Sequence, residues 1–150
     1  MLQLILIRHA DAGPYTLPDE ARPVSEKGFW ELGRLREFLV QKNTPNGLWL
    51  ISEAVRTRET AEYLLDKIAA KQVLLDMAWY HASGQAYVEK IMGQHEPVIY
   101  LVAHNPSISF VASHFLGESI HMETASSVHL CWPNADAWNE VIAGSASLMP

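Results

Sequence analysis

The feature that most constrains this chain is its opening apolar run. Leu2, Leu4, Ile5, Leu6 and Ile7 follow one another almost without interruption and stop abruptly at Arg8-His9-Ala10-Asp11. A short apolar run bounded by polar residues reads as a buried strand of a parallel sheet. Ligands of open α/β sheets sit just past the carboxyl ends of the strands. An arginine followed by a histidine at that point is placed for chemistry on an anion; the plainer alternative is a strand ending in a solvated loop.

The rest of the chain continues the pattern. Residues 12 to 23 are loop-like, broken by Gly13-Pro14, Pro18 and Pro23, and a loop this long in a compact domain is often functional. Ser25 caps a predicted helix carrying Leu32, Leu35 and Leu39 on one face, widened by Phe29, Trp30 and Phe38. Asn43-Thr44-Pro45-Asn46-Gly47 ends it. Leu48 to Ile51 is a second strand ending at Ser52-Glu53, and a helix from about Val55 to Ala70 follows. Gln72 to Leu75 reads as a third strand, and Ser83 caps a helix bearing Tyr87, Val88, Ile91 and Met92. Val98 to Val102 is a fourth strand, leading through Ala103-His104-Asn105-Pro106 into a helix closed by Gly117. Ser126 to Trp132 and Ala137 to Ile142 resemble two strands joined in a hairpin at Pro133-Asn134-Ala135-Asp136. The alternation predicts an α/β fold, a three-layer sandwich whose mostly parallel central sheet carries helices on both faces and ends in a C-terminal antiparallel hairpin.

Composition narrows the function. The 150 residues suit one domain spanning residues 1–150, and the net charge of −6 argues against nucleic-acid binding, which needs a basic surface. No apolar run approaches the roughly 18 residues of a membrane span, and no basic region precedes the first apolar stretch as it would in a signal peptide. The single cysteine, Cys131, fits a reducing cytoplasm, where the protein is expected, and reads as a buried, inert thiol. His81, His95, His114, His121 and His129 lack metal-binding spacing on one helix face, so no metal is expected. The tryptophans read as packing residues.

Three strand ends carry basic groups: Arg8 and His9, then Arg56, then His104. A parallel sheet puts its strand carboxyl ends on one edge, so these residues can converge on one pocket. Asn105 is a preferred N-cap and Pro106 suits the first helical position, so a helix begins just after His104 and its free N–H groups favour an anion. Arg56 and Arg58 lie in the first turn of their predicted helix, where cations are mildly unfavourable. Glu53, Glu59 and Glu62 balance them, or a bound anion does. The planar fork of arginine suits phosphate, which makes Arg8 and Arg56 a reasonable clamp.

With these residues in view, the chain resembles the histidine phosphatase superfamily, the phosphoglycerate mutase-like proteins, and within it the short SixA-type phosphohistidine phosphatases. The family opens with a strand and Arg-His-Gly, here Arg8-His9-Ala10. Its loop continues as Arg-Pro-Leu-Ser or Leu-Thr, two residues and Gly, here Arg22-Pro23-Val24-Ser25-Glu26-Lys27-Gly28. Its Ser-Pro-x-x-Arg-Ala-x-Gln-Thr-Ala stands against Ser52 to Ala61, with Arg56 at the arginine. Its Gly-His-Asn-Pro stands against Ala103-His104-Asn105-Pro106. Order and spacing agree in all four segments, over roughly residues 2 to 142. Ala10, Glu53, Glu59 and Ala103 depart from the pattern without removing a charge that would hold phosphate.

The resemblance implies a phosphatase in which His9 is the nucleophile and forms a phosphohistidine intermediate that water hydrolyses. Arg8, Arg56 and His104 would hold the non-bridging oxygens, with Arg22 a further positive contact and no metal or other cofactor required. A clear general acid is missing: Asp76 comes too early, His81 stands where short relatives often carry Pro, and Asp11 is either a proton donor or a loop cap. A site without a strong acid suits a P–N bond better than an alkyl phosphate. The expected partner is therefore a phosphorylated histidine-containing protein such as a phosphotransfer domain in signal transduction. The alternatives are a small phosphorylated molecule, hydrolysed by a general phosphomonoesterase, and a non-catalytic module that binds phosphoproteins.

Overall fold

The structure, a computed structural model, describes residues 1–149. Its six strands are β1 (Leu2–Arg8), β2 (Gly47–Ser52), β3 (Ala70–Asp76), β4 (Val98–Ala103), β5 (Ser127–Trp132) and β6 (Ser147–Leu148). They form one sheet in the order β3-β2-β4-β1-β5-β6. The first four are mutually parallel, while β5 runs antiparallel to β1 and β6 antiparallel to β5.

Side chains alternate across a strand, and here the alternation builds two cores. Leu2, Leu4 and Leu6 of β1 join Leu48, Leu50, Ile99 and Leu101 on one face, beneath α3 (Gly84–Met92) and α4 (Ser107–Leu116). Ile5 and Ile7 join Trp49, Ile51, Tyr100 and Val102 on the other, beneath α1 (Glu26–Gln41) and α2 (Val55–Leu65). Both faces of β2 and β4 are buried, so these strands read as continuous apolar runs rather than alternating ones. Trp49 and Tyr100 lie opposite each other in the β2–β4 ladder with their rings stacked 4.4 Å apart.

The predicted helices are present with adjusted ends. The Ser25 hydroxyl accepts the Gly28 N–H at the start of α1, and the Ser83 hydroxyl accepts the Ala86 N–H at the start of α3. Helix α2 stops at Leu65 instead of Ala70, and β3 begins at Ala70, because Ala70 already pairs with Gly47 beside it. Helix α4 begins one residue later than expected, with Pro106 at the cap, and Gly117 closes it at φ 82°, a backbone conformation that suits glycine.

The C-terminal strands differ from expectation. Residues 137 to 142 are not a strand: Trp138–Glu140 form a short 3-10 turn, and β6 lies further on at Ser147–Leu148. Trp138 and Val141, three residues apart, are both buried in the core beneath α3 and α4, a spacing that a turn satisfies and a strand cannot. The Trp138 indole donates to the Glu96 carbonyl at 2.7 Å, and its ring meets Trp132 edge-on at 5.4 Å. The long antiparallel partner of β5 is β1. Cys131 is buried and unpaired. Among the described residues no helix is long and apolar enough to cross a membrane.

Candidate active site

Strands β1 and β4 end level with each other, Arg8 opposite Ala103, so the residues that follow emerge side by side at one sheet edge. The backbone of His9 is fixed from two directions. Its N–H donates to the Ala103 carbonyl at 3.0 Å, and its carbonyl accepts the Ala125 N–H at 3.0 Å. The imidazole is 7% exposed, and its Nδ1 lies 2.7 Å from the Ala10 carbonyl. A carbonyl can only accept, so Nδ1 carries the proton and Nε2 keeps its lone pair.

That lone pair faces Arg56, whose Nε donates to His9 Nε2 at 3.3 Å. Burial, followed by the charges of Arg56, Arg8 and His104, pushes the His9 imidazole down to about 4. His104 is pushed below its usual value by burial and by the same Arg56 charge, partly offset by Asp19.

Helix α2 brings Arg56 to this point through two threonines. The Thr57 hydroxyl accepts the Ala54 N–H at 3.0 Å and donates to the Ser52 carbonyl, locking the first turn onto the end of β2. One turn later, Thr60 Oγ1 accepts the Ala10 N–H at 3.0 Å and donates to the Arg56 carbonyl at 2.7 Å. A single hydroxyl thus joins the backbone beside the histidine to that of the arginine. Arg56 is 6% exposed, whereas Arg58 stays near the surface and pairs with Glu62 at 3.8 Å. Of the three glutamates, Glu62 pairs with Arg58, whereas Arg56 pairs with Asp19.

Arg8 Nη1 donates to the Met122 carbonyl at 3.0 Å, and Asn105 Nδ2 donates to the same oxygen at 2.9 Å. This carbonyl ties the ends of β1 and β4 together. Arg8 Nε and His104 Nδ1 are buried with no protein partner. His104 lies at the start of α4, its carbonyl accepting the Ile108 N–H at 2.9 Å.

The loop from residue 12 to 23 closes over Arg56. Arg56 Nη1 donates to the Asp19 carbonyl at 2.6 Å, and Nη2 to the Asp19 carboxylate at 3.1 Å. The Tyr80 hydroxyl donates to the same carboxylate oxygen, and Arg22 Nε lies 3.7 Å from the other. Bonds from Tyr80 and Arg56 hold the Asp19 carboxyl below its usual range. Glu59 on α2 accepts the Val24 N–H at 3.0 Å and anchors the end of the loop. Arg22 also lies over the Tyr15 ring, 4.3 Å from its centre.

Asp11, expected as either a proton donor or a loop cap, is hydrogen-bonded at the start of α1. Its carboxylate accepts the Ser25 hydroxyl at 2.6 Å, its carbonyl accepts the Ser25 N–H, and its own N–H donates to Glu31. The carboxylate is thus engaged at the cap of α1. Asp19, Tyr80 and Thr60 are not among the residues that the sequence singles out. Thr60 is the one with a legible signal, since it stands four residues after Arg56 and so on the same helix face. Among the described residues, no group of three or more His, Cys, Asp or Glu side chains is arranged to hold a metal ion.

This arrangement of sheet and helices recurs in known structures. The fold is that of the phosphoglycerate mutase-like histidine phosphatases. Within that class the chain superposes on SixA phosphohistidine phosphatases. One, from Agrobacterium tumefaciens and assigned as SixA, matches with a TM-score of 0.82 and 21% identity over 99% of this chain and 96% of its own. Another, from Nakamurella, matches with a TM-score of 0.84 and 20% identity over 99% and 94%. A protein histidine phosphatase SixA complexed with tungstate matches with a TM-score of 0.80 and 15% identity over 99% and 94%. No protein-family model and no curated protein matches the sequence.

Proposed function

We propose that this protein is a phosphatase that uses His9 as nucleophile and acts on phosphohistidine carried by another protein. The observation that carries the reading is the His9 pair of contacts: Nδ1–H held by the Ala10 carbonyl, and an unprotonated Nε2 turned to a guanidinium. A nucleophile needs that lone pair, and a phosphoryl group needs that cation.

The lone pair of His9 Nε2 attacks phosphorus in line, forming an N–P bond as the bond to the leaving group breaks. The three non-bridging oxygens lie among Arg8, Arg56 and His104, whose Arg8 Nε and His104 Nδ1 are buried without protein partners. These cationic and polar side chains offset the transferring charge, so the reading requires no metal. Water then attacks phosphorus, and both of its protons stay with the phosphate, released as dihydrogen phosphate. His9 leaves as the neutral imidazole, still protonated on Nδ1.

The substrate follows from the leaving group. An alkoxide must be protonated as it departs, whereas phosphohistidine protonated on its other ring nitrogen leaves as neutral imidazole. Asp19, the carboxylate against Arg56, is held below its usual range and has no proton to give at neutral pH. Asp11 is engaged with Ser25. Both facts favour a P–N bond over an alkyl phosphate. The partner is accordingly a phosphorylated histidine-containing protein of a signalling relay in the cytoplasm, with small phosphomonoesters as poorer substrates.

Two measurements test this. Incubation with a labelled phosphohistidine donor should leave acid-labile, base-stable label on His9, absent in His9→Ala. A phosphorylated histidine-phosphotransfer domain should be hydrolysed much faster than a sugar phosphate. Tight phosphate binding without label or turnover would show a binding module instead, and equal rates on both substrates would show a general phosphomonoesterase.

A further inference from the structure

Arg56 does not wait empty for an anion. Its two terminal nitrogens are both occupied by one residue of the 12–23 loop, Nη1 by the Asp19 carbonyl at 2.6 Å and Nη2 by the Asp19 carboxylate at 3.1 Å. One carboxylate oxygen and the main-chain carbonyl oxygen of Asp19 together take the two terminal nitrogens that a phosphate would use. The Tyr80 hydroxyl donates to the same carboxylate oxygen, and Arg22 flanks the other at 3.7 Å. The Asp19 side chain is 57% exposed and can swing into solvent, but the Arg56 side chain is only 7% exposed, so its charge needs another anion in place of the carboxylate.

We infer that Asp19 is a built-in competitor of the phosphoryl group, a carboxylate latch that closes the loop over Arg56 until an anion displaces it. The inference rests on the phosphatase reading for the identity of that anion. Displacement breaks the Arg56 and Tyr80 contacts together, freeing the guanidinium and opening the loop in one event. Apparent phosphate affinity is then the intrinsic affinity reduced by the fraction of molecules whose latch is open. A fully paired phosphoryl group with more than one negative charge wins the exchange, while a lone carboxylate from solvent does not.

The test is calorimetric titration of inorganic phosphate into the full chain and two variants. Asp19→Asn keeps the shape of the side chain and removes its charge, and should tighten phosphate binding about tenfold. Tyr80→Phe removes one latch bond and changes no charge, and should tighten it about threefold. A gain in Asp19→Asn with none in Tyr80→Phe would reduce the effect to the local field and overturn the latch. So would unchanged or weaker binding in Asp19→Asn, which would make Asp19 a residue that positions Arg56. Should Asp19→Asn fail to fold, Tyr80→Phe decides alone: tighter binding supports the latch and unchanged binding overturns it. Phosphate binding by none of the three proteins would sink the phosphatase reading itself.

Discussion

Arg56 Nε donates to His9 Nε2 at 3.3 Å, across 47 residues of sequence. The bond requires an unprotonated Nε2, and the Ala10 carbonyl requires a protonated Nδ1, so two independent contacts select the same neutral tautomer. A protonated His9 would turn an N–H toward a guanidinium that also has only hydrogens to offer.

The pH dependence of stability follows. His9 titrates at about 4 in the folded chain against 6.5 ordinarily, so the unfolded chain takes up the proton first. The His9 contribution to stability is complete above about 6.5 and is lost as pH falls toward about 4. The loss amounts to about 3 kcal/mol, and His104, shifted in the same direction, steepens the slope. Urea unfolding at pH 7 and pH 4.5 should show this loss, and His9→Asn should flatten it. Direct observation of the ring by NMR should find His9 neutral throughout the range in which an exposed histidine titrates.

Thr60→Val tests how the arginine is held. Valine keeps the volume but leaves the buried Ala10 N–H without its acceptor, at a cost of about 1–3 kcal/mol. It also releases the Arg56 carbonyl from its link to the residue after His9. The expected result is a lower melting temperature with a fall in kcat larger than any change in KM. A variant that loses stability but keeps kcat would show the hydroxyl to be purely structural.

Gly28→Ala tests the loop anchor. A Cβ built there would lie 2.2 Å from the Asp11 carbonyl oxygen and 2.7 Å from Val24 Cγ1, so backbone must move. The Asp11 carbonyl also accepts the Ser25 N–H, and Val24 is tied to Glu59, so the shift would reach both ends of the 12–23 loop. Overpacking of this kind costs about 1–3 kcal/mol. Chemical denaturation should read that loss.

The sequence disclosed the core of the fold because β1, β2 and β4 are buried on both faces and therefore written as unbroken apolar runs. It marked Arg8, His9 and His104 as charged or polar residues placed where a strand ends, and Arg56 as a cation in the first turn of the helix that follows β2. Residues 137 to 142 misled because Trp138 and Val141 are apolar in a short segment, and only their burial against α3 and α4 distinguishes a turn from a strand. Asp19 and Tyr80 were not legible for another reason. They meet across 61 residues on a loop and a short 3-10 turn, and neither element has a periodicity that would place a side chain.

Arg56→Lys separates charge from geometry. The guanidinium uses three nitrogens at once, Nε toward His9 and Nη1 and Nη2 toward the oxygens of Asp19, all in one plane. An ammonium keeps the charge but is a single point that cannot face His9 and two oxygens together. Ground-state phosphate binding depends largely on charge and should fall by less than about tenfold. Transition-state stabilisation depends on donors aimed where charge develops, and losing one such arrangement costs about 10²–10³ in rate. The variant should therefore lose far more kcat than phosphate affinity on a phosphohistidine substrate. Parallel losses in both would mean that Arg56 acts as a charge alone, and that the fork it presents to Asp19 and His9 has no part in the chemical step.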